Sequence, residues 1–167
     1  MSLYRFLCAG LVSVLLAGCG FQPLYYRDGV RSSIKEDLAS IYVRPISDRI
    51  GQELRTELND VLSPSRASVP DKWELDIKLQ EATQKIALES TTFSTRANLI
   101  VTATISLVPK LEGETRKATI KAISSYNLVD SEYANVIAER DARSRAVVNL
   151  SSDIRRTLAL WLRKDEG

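Results

Sequence analysis

The chain has 167 residues, 23 Lys and Arg against 21 Asp and Glu, and no histidine. That is one domain's worth of chain, and the near-balance of charge leaves no strong field for holding nucleic acid. The missing histidine removes the usual general base, the Ser-His and Cys-His nucleophile systems and the commonest metal ligand.

The sequence also holds no Gly-rich phosphate loop, no clustered metal-ligand spacing and no nucleophile elbow. The expectation is therefore a protein that is not an enzyme, with no catalytic residue, no metal and no nucleic-acid partner.

Residues 1–5 carry one positive charge, Arg5, and residues 6–17 carry none. The uncharged run is about a dozen residues, shorter than the roughly 20 that span a bilayer as a helix, and it has the length and flanks of a secretory signal peptide. Leu16-Ala17-Gly18 is followed directly by Cys19, which resembles the lipobox of bacterial lipoproteins. The resemblance implies cleavage before Cys19, a diacylglyceryl group on its thiol and an acyl chain on its new amino group. Several acyl chains anchor durably where one binds marginally, so Cys19 is the expected lipid anchor and this covalent N-acyl diacylglyceryl lipid is the only attached group expected. Gly20 stands where an aspartate commonly retains such lipoproteins at the inner membrane, so the expected location is the inner leaflet of the outer membrane, with the domain on the periplasmic side. Removing residues 1–18 takes away Arg5 and no acid, leaving 22 basic against 21 acidic side chains. Cys8 leaves with the signal peptide and Cys19 is blocked, so the fold stands without disulfides. The expected organisation is a cleaved signal peptide over 1–18, a lipidated tether over 19–38 and a folded domain over 39–167.

Residues 21–26 read Phe-Gln-Pro-Leu-Tyr-Tyr, and Asp28-Gly29 follows as a turn signal. The stretch to residue 37 reads as extended chain, with a polar linker over 27–37. Residues 40–46 form a strand by β-branched and aromatic content, ended by Pro45. Asp48 is placed to cap a helix to Leu62, with Ile50, Leu54, Leu58 and Val61/Leu62 on one stripe. Arg49, Glu53, Arg55, Glu57 and Asp60 lie mostly off that stripe, as a solvated face.

Three period-two segments come next. Trp73, Leu75, Ile77 and Leu79 alternate with polar residues, more weakly through Ile86 and Leu88. Residues 97–108 and 119–128 alternate likewise, and the short joins at 90–95 and 110–117 predict antiparallel hairpins. These strands exceed the usual length of about 5–6 residues, so their tips are expected to project from the core. Residues 131–163 form a long arginine-rich helix, capped by Ser131, with Ile137, Val147, Leu150, Ile154, Leu158 and Trp161 on its apolar face. Asp141 and Asp153 are placed to pair with its arginines. The predicted fold class is α+β, a two-layer sandwich: a four-stranded mixed sheet in the order β-α-β-β-β-α, with two helices on one face. The first strand, reached by a helical crossover, pairs in parallel with one of the other three.

The stretch Leu16 to Tyr25, above all Gly20-Phe21-Gln22-Pro23-Leu24-Tyr25, together with this element order and length, resembles the lipopolysaccharide-assembly lipoproteins of the LptE (RlpB) family. Past the lipobox the likeness is one of architecture rather than of residues. The resemblance implies a plug seated in the lumen of the LptD outer-membrane β-barrel, assisting barrel assembly and insertion of lipopolysaccharide into the outer leaflet. LptD and lipopolysaccharide are the implied partners. An auxiliary lipoprotein of a periplasmic lipid ABC-transport system has the same size and anchor and is the alternative. Lipopolysaccharide offers phosphates and acyl chains, so a contact surface pairs Lys or Arg with exposed apolar groups. The tip bearing Phe93 and Arg96, with Lys85 nearby, has that composition; it also reads as a mobile hairpin turn. Arg116 and Lys117 at the next join are the second candidate.

Overall fold

The computed structural model describes residues 28–64, 69–86 and 95–165. The elements in order are α1 (Asp28–Ala39), β1 (Ile41–Val43), α2 (Asp48–Leu62), β2 (Trp73–Ile86), β3 (Thr95–Pro109), β4 (Arg116–Leu128) and α3 (Glu132–Asp165). The four strands form one sheet in the order β1-β2-β3-β4. β1 runs parallel to β2 with Ile41 opposite Trp73, and the other pairs are antiparallel. This is the predicted four-stranded mixed α+β sheet, and the partner of the first strand is β2.

The alternation in β3 has a direct cause. Ala97, Leu99, Val101, Ala103, Ile105 and Leu107 are all buried on one face, under the helices, while Thr104 and Val108 on the other face are exposed. A strand whose side chains point to opposite faces needs one apolar and one polar series. Leu54, Leu58 and Leu62 of α2 and Val147, Leu150, Ile154 and Leu158 of α3 complete the core. The 34 residues of α3 make a helix of about 50 Å, long enough to cross the whole sheet. The 15 residues of α2 reach about 22 Å, roughly half the length of β2. Beyond Leu79, the residues of β2 from Gln80 to Lys85 are exposed.

Four details depart from the sequence reading. The extended chain expected over 27–37 is instead the helix α1. Ile34 and Leu38 fall one turn apart and both join the core, Leu38 almost fully buried, which is enough to fix a helix whose other residues are mostly polar. β1 is three residues rather than seven, because Pro45 has no donor and the last ladder bond runs from the Arg44 amide to the Leu75 carbonyl. The cap of α2 is Ser47, without a side-chain bond, and Asp48 is the first helical residue at φ 67°. Ile137, assigned to the apolar stripe of α3, is 46% exposed, because that part of the helix lies ahead of the buried run beginning at Ala142. The Ser131 cap is present, its Oγ accepting from the Ala134 amide at 3.4 Å. The signal peptide, Cys19, residues 20–26, Leu88 and Phe93 lie outside the described residues.

Candidate functional site

The helices cover one face of the sheet, and the other face is open. Strand register arranges the open face in rows: Lys78-Thr104-Thr119, Gln80-Thr102-Lys121, Ala82-Ile100-Ile123, Gln84-Asn98-Ser125 and Ile86-Arg96-Asn127. Ser125 Oγ and Asn98 Oδ1 are hydrogen-bonded at 2.7 Å. The row Ala82-Ile100-Ile123 is an apolar band across a hydroxyl- and amide-rich surface, and Ile123 is 54% exposed at its end. Lys78, Lys117 and Lys121 carry positive charge on this face. The nearest acids by register are Asp76 and Glu74, and Glu74 is held by Arg44 at 3.3 Å. Such a face can make many hydrogen bonds to a polar wall while offering one apolar strip.

The predicted contact residues do not form one site. Lys85 is opposite Ala97 and so shares the helix-side face, while Arg96 is opposite Ile86 and lies on the open face. Both are exposed at the same sheet end, but they point to opposite sides. Arg116 and Lys117 begin β4 at the other end; eleven residues of strand separate Arg116 from Asn127, the partner of Arg96, or about 36 Å. Lys117 is exposed on the open face. Arg116 turns to the helix side, where its guanidinium donates to the Trp161 carbonyl of α3; it closes a helix end as well as carrying charge. At the Arg96 end, the start of α3 leaves Val129, Tyr133, Val136 and Ile137 exposed, Tyr133 by 77%. This apolar group was not recognised from the sequence, where Ile137 alone of its residues was placed, on the buried stripe.

A second constellation was missed altogether. Arg143 of α3 grips Glu81 of β2 through two parallel bonds, Nε to Oε2 at 2.9 Å and Nη2 to Oε1 at 2.7 Å. The same Nη2 donates to Glu139 Oε1 at 2.9 Å. The bond from Arg143 holds the Glu81 carboxyl below the usual carboxylate range, against a smaller opposing effect of burial. The bond to Glu81 in turn keeps Arg143 charged even more firmly than usual. Beside them, burial and then the Glu139 charge push the Tyr126 phenol up. The available signal was Glu81 itself, an acid at the next period-two position after Leu75, Ile77 and Leu79. The Asp141 and Asp153 pairings expected within α3 are present, with Arg145 and Arg156.

Among the described residues no three His, Cys, Asp or Glu side chains are grouped to hold a metal ion, and no helix is long and apolar enough to cross a membrane. The clefts between α2 and α3 are open; one of about 500 Å³ is lined by Arg49, Glu53, Val136, Glu139, Arg140 and Arg143 among others.

No protein-family model and no curated protein sequence matches the chain. Solved structures do match in fold. A Caulobacter crescentus chain described as a lipoprotein is 24% identical with a TM-score of 0.65, covering 80% of this chain and 97% of its own. A minor lipoprotein from Acinetobacter baumannii is 16% identical with a TM-score of 0.58, covering 73% and 92%. Rare lipoprotein B from Shewanella oneidensis is 11% identical with a TM-score of 0.50, covering 76% and 98%. At these identities the likeness is one of fold.

Proposed function

We propose that this chain is an outer-membrane lipoprotein of the LptE (RlpB) type, anchored through Cys19, that plugs the LptD β-barrel and assists lipopolysaccharide insertion into the outer leaflet. The observation that carries the reading is the stretch from Leu16 to Tyr25, a lipobox continued by Gly-Phe-Gln-Pro-Leu-Tyr. The fold supports it, because the structural neighbours are by name lipoproteins and one bears the name rare lipoprotein B. The open sheet face supports it as well: a plug in a polar lumen needs a hydrogen-bonding exterior, and five rows of side chains provide one. The role is non-enzymatic and uses no cofactor beyond the acyl chains. This end of the sheet carries Arg96 on the open face and, at the start of α3 on the helix side, the exposed Tyr133, Val136 and Ile137; phosphate and acyl groups call for these two kinds of side chain.

Affinity purification from detergent-solubilised outer membrane tests the partner. Recovery of a large β-barrel protein is the expected outcome; recovery of inner-membrane ABC-transporter subunits alone replaces the reading with the transport-auxiliary one. The Cys19→Ala variant should accumulate as an uncleaved precursor or in the soluble fraction, and unchanged outer-membrane fractionation would refute the anchor.

A further inference from the structure

The two edges of the sheet are finished differently. β1 is three residues long, and its Val43 carbonyl accepts from Arg55 Nε at 3.2 Å. Short strands and covering side chains are how proteins close sheet edges. β4 is an edge of 13 residues, in unbroken register with β3 from Arg116 to Leu128, without proline or bulge.

The direction of its main chain follows from two contacts with α3. The Ser125 carbonyl accepts from Arg145 at 3.2 Å. The Asn135 carboxamide binds Val129 on both sides, accepting from its N–H and donating to its C=O, each at 2.8 Å. Asn135 thus does to Val129 what a neighbouring strand would do. In an antiparallel ladder alternate residues direct both main-chain groups to the same side. The outward groups of β4 are therefore those of Lys117, Thr119, Lys121, Ile123, Ser125 and Asn127. α3 occupies the 125–129 end and leaves 117–123 open, a span of about 23 Å, the length of an ordinary strand.

We infer that the open edge of β4 over residues 117–123 accepts an added strand, an extended acidic segment of a partner protein. Charge decides the occupant. On the open face this stretch reads Lys117, Thr119, Lys121 and the half-exposed Ile123, and neither lysine has an ion-pair partner among the described residues. On the helix side it reads Ala118, Ile120 and Ala122, partly or fully buried. The complementary strand carries carboxylates on one face and apolar side chains on the other, alternating along its length. A second copy of β4 is disfavoured, since antiparallel pairing over 117–123 gathers both copies' lysines on one face. The edge lysines thus repel other copies while selecting acidic strands. The inference goes beyond the barrel reading, and its assay contains no barrel, so the two fail separately.

The test uses the full chain in detergent and a capped nine-residue peptide alternating glutamate with valine, beside the same peptide with lysine for glutamate. The glutamate peptide should slow hydrogen exchange at the amides of Lys117, Thr119, Lys121 and Ile123, and the lysine peptide should not. Thr119→Pro deletes one outward donor and none of the β3 ladder, and should weaken binding by about tenfold, the value of one such bond. If that variant melts early, Lys117→Glu with Lys121→Glu serves instead and should transfer binding to the lysine peptide. Absence of binding by the glutamate peptide, protection confined to other residues, an unaffected and folded proline variant, or slow exchange at these amides from dimers without peptide would each overturn the inference.

Discussion

The two halves of the sheet share β2, β3 and β4, and β2 is held differently in each. In the half containing Trp73–Leu79, both α2 and α3 lie over the strands. Leu54, Leu58, Leu75, Leu107, Ile154 and Leu158 are buried there without a charged group among them. In the half beyond Gln80, α2 has ended and only α3 continues. β2 there is exposed, and its link to α3 is the ion-paired cluster of Arg143 with Glu81 and Glu139. The first half is stabilised by apolar burial, which is insensitive to pH and salt. In the second, Ala97, Leu99, Val101 and Tyr126 of β3 and β4 are still buried, but β2 adds no buried side chain and is tied to α3 by charge-assisted bonds at partly exposed groups, which are weaker and conditional. The half with less core is also the one carrying Arg96 and the exposed apolar start of α3. A surface that is to meet a partner is better placed on the less densely packed half, where local opening costs less than global unfolding.

The largest expected effect comes from the packed half. Leu107→Ala, or Leu58→Ala from the facing helix, removes a fully buried side chain and should cost about 2–5 kcal/mol in chemical denaturation. If either costs less than breaking the Arg143 cluster, the contrast between the halves is wrong. Gly51→Ala should follow. A Cβ at Gly51 would lie 2.7 Å from Ile46 Cγ2 and 3.0 Å from the Ile46 carbonyl carbon. Ile46 is buried, so the clash outweighs the better helix propensity of alanine, and a net loss of about 1–2 kcal/mol is expected. An increase in melting temperature would show that the join between β1 and α2 is loosely packed.

The packed half was also the half legible in the sequence. Period-two burial is visible wherever one sheet face is covered and the other wet, so β3 could be read from Ala97 to Val108 without its neighbours. The same rule lost information past Leu79, because there the residues of β2 are exposed on both faces and nothing enforces alternation. Glu81 looked like a lapse in the pattern, and its partner lies 62 residues away, a separation no local rule spans. Ile137 had the right spacing for the buried face, but spacing does not show where along a 34-residue helix the underlying sheet offers a core. α1 escaped because Val30, Ile34 and Leu38, though spaced four apart, are single apolar residues among Arg, Ser, Lys, Glu and Asp behind an Asp-Gly turn signal, and docking of Ile34 and Leu38 on the core is what a local reading does not see. At the candidate site, the residue types were legible and their sides were not. Lys85 and Arg96 were adjacent across a predicted hairpin, and only the register puts them on opposite faces.

The exposed half is probed by pH. The folded Glu81 carboxyl is held below the ordinary range, so its contribution is complete above the unfolded carboxylate value of about 4.3 and is lost as pH falls through the lower folded value. Hydrogen exchange at residues 80–86, taken relative to the intrinsic amide rate at each pH, should therefore accelerate on acidification before that at 73–79. Glu81→Gln should cost about 1 kcal/mol at neutral pH and remove this acid-side difference. Equal acceleration in both halves would mean that the sheet opens as a unit.

The smallest effect is expected where α1 meets the packed half. Lys72 Nζ is 2.9 Å from Asp37 Oδ1, with the lysine side chain 61% exposed. The hydrogen bond to Asp37, followed by its charge, raises the Lys72 pKa. A raised lysine contributes fully below its unfolded value and loses that contribution as pH rises through the folded one, so this pair is constant from neutral pH to about pH 10. Being solvent-screened, it is worth between nothing and about 1 kcal/mol. Lys72→Met should lower the melting temperature slightly at low salt and not at all in 1 M salt, whereas Leu38→Ala should destabilise α1 equally in both. A salt-independent loss in the Lys72 variant would mean that its stem packs against α1, and that burial holds this helix at both contacts.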